Sequence, residues 1–146
     1  MKSSLKIVKL KLDVEQVNDY VLIGIVSSEP DYKLSLSLNK KFGISLKNGI
    51  PVKLAGESVA GISFSRFSNN NEYSEFIVNL IANRSGNNYL LGKLKNIDYL
   101  LQMQDSENEI NLNKITSSLR EIDSVTAVFN IDVNAIKDKN LHYLNQ

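Results

Sequence analysis

The sequence predicts an α+β fold: a two-layer sandwich in which a mostly antiparallel sheet carries two helices packed on one face. Three observations predict it. Two segments, near Pro30–Gly43 and Asn111–Ile122, space their apolar residues as a helix does. The segments between them are short, rich in aliphatics and bounded by turn residues. The stretch from Ile97 to Val133 reads as strand, helix, strand, a crossover that sets its two strands parallel with a right-handed connection. Helices gathered on one face of such a sheet form two layers.

Each element has a local reason. Ser4–Asp13 is aliphatic and reads as a strand, but its apolar parity slips between Ile7 and Val8, as at a bulge or in a strand contacted on both faces. Tyr20–Val26 is apolar without alternation, the mark of an interior strand. The first helix comes next. Ser28 is placed to cap its first amides, and Pro30 suits its first turn. Glu29 and Asp31 favour the positive end of the helix dipole. Leu34, Leu38 and Phe42 share one face, and Gly43 is a plausible stop after Lys40 and Lys41.

Residues 44–68 hold two or three short strands around turns. Asn48-Gly49 is a hairpin signal, and Pro51 confines the residues after it to an edge or an irregular segment. Ser68–Glu72 is a polar loop. In the next strand Phe76, Val78, Leu80 and Ala82 form one face, while Ile77 and Ile81 share the other with Asn79 and Asn83. SGNN turns the chain toward IDYLLQMQ, a further strand. Asn111 can cap the second helix, whose buried face is Leu112, Ile115, Leu119 and Ile122. The last strand alternates, with Val125, Ala127, Phe129, Ile131 and Val133 on one face. The tail from Asn134 is read as a last turn or an edge piece. The many asparagines are attributed to codon bias as much as to structure. This topology resembles that of small ferredoxin-like or ACT-like domains, a likeness that carries no function by itself.

Bulk properties narrow the function. The 146 residues fit a single domain, 1–146, able to bury its own core. A net charge of +1 offers no field to recruit nucleic acid. Cysteine is absent, which removes thiolate nucleophiles and cysteine-based metal sites. The lysine-studded start is no signal peptide, and no apolar run reaches the roughly 20 residues of a membrane span, so a cytoplasmic protein is expected.

A two-layer sandwich leaves its second sheet face bare, and here that face is apolar. Ile77, Ile81, Phe67 and Leu100 are assigned to it. Large apolar patches are uncommon on soluble monomers. The expected cover is a second subunit in a homodimer, another protein, or the 44–72 segment folding back.

One resemblance runs through the chain. LGKLKNIDY, Leu91–Tyr99, resembles the signature of the IPExxxVDY family, with Ile97, Asp98 and Tyr99 at its VDY end. YVLIGIVSSEPDYKLSLSLNKKFGISLK is similar to that family's N-terminal block, the match lying on Asp31, Tyr32, Leu34, Leu38 and Asn39. Asn79–Arg84 is similar to another family segment. Gly92 and Lys93 depart from the signature, which has Pro and Glu there, and the reversed charge argues that this segment is a structural turn. The resemblance implies a small single-domain bacterial protein with no assigned activity.

The binding candidates are therefore Asp31, Tyr32, Asn39, Asp98 and Tyr99, each with a structural counterpart. Asp31 sits where it relieves unpaired helix amides. Asp98 is placed to accept turn amides after Lys95-Asn96, and Tyr99 to bury its ring with its hydroxyl at an edge. His142, the lone histidine, has no partner cluster for a metal and no GxSxG serine. Phosphate-binding glycine motifs are missing. The chain is expected to be a non-catalytic protein-interaction module, with no cofactor or metal and with itself or another protein as partner. The alternative is a small-molecule-binding regulatory domain of ACT-like topology.

Overall fold

A computed structural model describes residues 20–56, 61–69, 76–107 and 109–145. The strand expected at Ser4–Asp13 and most of the 68–72 loop lie outside them. Among the described residues the elements are β1 (Val21–Ser27), α1 (Asp31–Phe42), β2 (Lys47–Asn48), β3 (Val52–Lys53), β4 (Ser63–Phe64), β5 (Arg66–Ser68), β6 (Phe76–Ala82), β7 (Arg84–Ser85), β8 (Asn88–Tyr89), β9 (Tyr99–Asp105), α2 (Leu112–Arg120) and β10 (Val125–Ile131).

The α+β class is as the sequence predicts. The main sheet runs β10-β1-β9-β6-β5-β2, and its neighbouring strands are antiparallel. Because β1 lies antiparallel to both β9 and β10, those two run parallel, joined by α2 as the crossover predicts. By the same logic β1 and β6 are parallel with β9 between them. This is the interleaved order of a ferredoxin-like topology, with residues 44–75 inserted after α1.

The helix termini obey local chemistry. Gly43 ends α1 in the left-handed region (φ 64°), its N–H donating to the Asn39 carbonyl. The Asn111 side chain accepts the Lys114 amide at 3.1 Å and caps α2. Ser28 does not cap α1. Pro30 occupies the N-cap position and has no side-chain acceptor to offer, and the Ser27 hydroxyl accepts the Glu29 amide in the preceding turn.

Two expectations for the strands are corrected. Asn48-Gly49 does not close a hairpin between adjacent strands: β2 pairs with β5 in the main sheet, while β3 pairs with β4 in a separate two-stranded piece. In β10 the alternation breaks. The register shifts between Val26 and Ser27, leaving Thr126 as a bulge. Val125 therefore turns to the helix side with Val128, while Ile131 packs on the opposite side.

The sheet divides two cores. On the helix side Ile23, Ile25, Val78, Leu80, Leu101 and Met103 meet Leu34, Leu38 and Leu119. On the other side Leu22, Ile81 and Leu100 meet Val52, Phe64, Leu90, Leu91, Ile97 and Leu144. The second face is thus covered from within the chain. Part of the cover is Val52, Leu54, Ile62 and Phe64 of the 44–72 segment, as one of the expected alternatives had it. The 84–97 excursion and the carboxyl-terminal turn supply the rest. Phe67, assigned to the second face, packs on the helix-side core because it pairs with Leu80, which faces the helices. Among the described residues no helix is long and apolar enough to cross a membrane.

Candidate functional site

The strand ends decide which of the predicted residues meet. β1 delivers Ser27 to the top of the sheet, and β9 starts beside it with Asp98 and Tyr99. The turn into α1, Ser28 to Pro30, passes over both. Arg84 leaves β6 next to them. Together they line a shallow notch of about 280 Å³.

The polar groups of this notch are largely spent on one another. The Asp98 carboxylate accepts the Ser27 amide at 2.9 Å, and its other oxygen lies 3.8 Å from the Arg84 guanidinium. Asp98 does accept an amide, as expected, but from the end of β1 and not from the Lys95-Asn96 turn. The Tyr99 ring is buried and its hydroxyl donates to the Glu29 carbonyl at 2.5 Å. Burial first, then the charges of Asp31 and Asp98, pushes the Tyr99 phenol up to about 12. At neutral pH it is a donor and not a base. The Arg84 guanidinium is held charged by a hydrogen bond with Tyr89 and then by Asp98.

The remaining candidates separate from this pair. Asp31 is near enough for its charge to act on Tyr99, but its carboxylate accepts the Tyr32 amide at 2.7 Å. Tyr32 is 54% exposed and points away from the core. Asn39, at the far end of α1, grips Leu46: its Oδ1 accepts the Leu46 amide at 2.7 Å and its Nδ2 donates to the Leu46 carbonyl at 3.2 Å. That clamp fixes the exit of α1.

Two side chains central to the second face have no counterpart among the candidates. Asn83 is fully buried at the end of β6. Its Nδ2 donates to the carbonyls of Leu94 and Ile97, at 2.9 and 3.0 Å, and its Oδ1 accepts the Leu91 amide at 2.8 Å. The LLGKLKN excursion wraps on this amide, while Asp138 accepts the Lys93 amide at 3.0 Å and Asn140 donates to the Leu90 carbonyl at 2.8 Å. Gln102, buried in β9, accepts from Asn79 and donates to the Leu144 carbonyl at 3.1 Å, fastening the carboxyl-terminal turn. Only their parity on the second face marked them in the sequence.

Two further hollows are lined by described residues. A cleft of about 570 Å³ opens between Leu54 and Ile62 on one side and Tyr89, Asn140, His142 and Tyr143 on the other. His142 is exposed there, its Nδ1 2.9 Å from the Lys139 carbonyl and its ring centroid 4.1 Å from that of Tyr143. Beneath the helices an apolar hollow of about 220 Å³ lies among Leu38, Phe42, Ile44, Phe76, Met103 and Ile115. Among the described residues no three His, Cys, Asp or Glu side chains converge on a point that would hold a metal. Compared with protein families, with curated proteins and with solved structures, the chain finds no match.

Proposed function

We propose that the chain is a non-catalytic protein-interaction module of the cytoplasm, related to the IPExxxVDY proteins through Leu91–Tyr99. The observation that carries this reading is the edge strand β10. With the second sheet face covered from within, β10 is the long apolar element left open among the described residues. It has seven residues, no charge and no proline, and Phe129 on it is 44% exposed. Bare edges of this kind template pairing with another strand. The inward-looking hydrogen bonds of Asp98 and Tyr99 support a structural role for the notch. The test is affinity capture from the native host with the wild-type chain and with Phe129→Lys. Proteins held by the first and lost with the second support the reading; identical capture with both overturns it.

A second reading, a small-molecule regulatory module, is favoured by the cleft beside Tyr89 and Tyr143. Its check is a thermal-shift panel of metabolites, since a ligand that binds the native state raises stability. A rise that Tyr143→Ala abolishes supports it, and a flat panel counts against it.

A further inference from the structure

The two edges of the main sheet are built differently. At one, β2 is two residues long and presents Lys47, a short and charged edge of the kind that discourages pairing. At the other, β10 is long and uncharged. Its bulge lies near its start, so Ala127 to Ile131 form a regular run against β1.

The ladder shows which main-chain groups of that run are turned outward, with no strand beside them among the described residues. The Ile25 carbonyl accepts the Asp98 amide, so Ile25 faces β9. Residues of an antiparallel strand alternate between their two neighbours. Val128 lies opposite Ile25 and Asn130 opposite Ile23, so both direct their N–H and C=O away from β1. The Arg120 guanidinium reaches the Val128 carbonyl at 3.5 Å, from the open side. Phe129, between them, lies opposite Gly24, which has no side chain to cover it.

We infer that this edge pairs with the β10 of a second copy of the chain, antiparallel, about a two-fold axis at Phe129. The inference rests on the interaction-module reading and names its partner. Full overlap of the regular run with itself sets Ala127 opposite the partner's Ile131 and Val128 opposite the partner's Asn130. The outward groups of Val128 and Asn130 then exchange about four main-chain hydrogen bonds, the partner's amide displacing the long Arg120 contact from the Val128 carbonyl. Phe129 meets the partner's Phe129 in the close, non-hydrogen-bonded position, where aromatic pairs are favourable. The strand itself carries no charge, so the Arg120 guanidinium at Val128 is the cation that must swing aside, and a chain with net charge +1 is little repelled at long range. The two sheets join into one of twelve strands, six from each copy. Edge pairing buries less than a standard interface, so a concentration-dependent dimer is expected.

The experiment is light scattering from about 5 µM to about 500 µM, with hydrogen exchange read at Val128 and Asn130. The wild-type mass should rise toward twice 16.4 kDa, and both amides should slow as it does. Phe129→Lys and Phe129→Glu each place like charges at the axis and should stay monomeric, with unfolding temperatures near wild type because the ring is exposed. Mixed in equal amounts, they should dimerise again. A wild-type monomer throughout the range overturns the inference, as does a dimer that both variants leave intact. Variants that stay monomeric when mixed overturn the axis at Phe129. Slow amides in a monomer overturn it as well, the edge then being covered within the chain. If the wild type is monomeric but Phe129→Lys still loses captured proteins, the self-pairing fails and the interaction reading stands.

Discussion

Asparagine side chains hold this chain in shape by imitating its backbone. Asn39 grips Leu46, Asn69 accepts the Val78 amide at 2.7 Å and donates to the Phe76 carbonyl, and Asn83 organises Leu91, Leu94 and Ile97. Codon bias is a poor account of these three. An amide offers a donor and an acceptor at fixed spacing, as a peptide unit does. Replacing Asn83 with Ala would leave the Leu91 N–H and the Ile97 carbonyl unpaired, the Leu94 carbonyl keeping the Ile97 amide, at roughly 1–3 kcal/mol for each group that water cannot reach. A loss of about 2–4 kcal/mol is expected in urea unfolding. Tyr99→Phe keeps the ring and loses one bond to Glu29, so about 0.5–1.5 kcal/mol should go. Its pH signature has a definite sign. The folded phenol titrates at about 12, above the 10.0 of the free group. Folding thus favours the neutral form, and this contribution is complete below pH 10.0 and lost as pH rises toward about 12. Unfolding monitored through that window should show a decline that Tyr99→Phe lacks.

Among the elements, the helices were the most legible. Leu34 and Leu38, and Leu119 on α2, are buried where their spacing places them, and Gly43 and Asn111 end and start helices as their chemistry directs. The strands were legible in face and illegible in register. β6 keeps its predicted faces because nothing interrupts it. β10 does not, because one extra residue at Thr126 reverses the parity before it, and no local signal marks a bulge that depends on where β1 ends. Gly24 shows the same dependence. A Cβ there would stand 2.7 Å from Ile97 Cδ1, so the missing side chain is what lets the 84–97 excursion lie flat on β1. Gly24→Val should destabilise by about 1–3 kcal/mol through overpacking. In a double-mutant cycle Ile97→Ala, costly alone, should cost less in the Gly24→Val background. Additive losses in the cycle would refute the contact.

For the whole molecule, the decisive fact is that the sheet is covered on both sides by one chain. The apolar second face did point to a missing cover, and the 44–72 segment was one of three expected suppliers. Phe64 is fully buried in that cover. Phe64→Ala should cost about 3–5 kcal/mol and increase binding of a hydrophobic dye to the second face. A variant as stable as wild type would show that the face needs no such lid.

Composition and periodicity determined, unaided, the α+β class, the two helices, the crossover between β9 and β10, and the faces of β6. These come from spacing along the chain, which is local. The tertiary structure alone decided the register of β10, the partners of β2 and β3, and the joining of Asp98 to Ser27 and of Asn83 to the 84–97 excursion. Each of those depends on which distant backbone groups arrive unpaired at the same place. That is settled only when the second face closes.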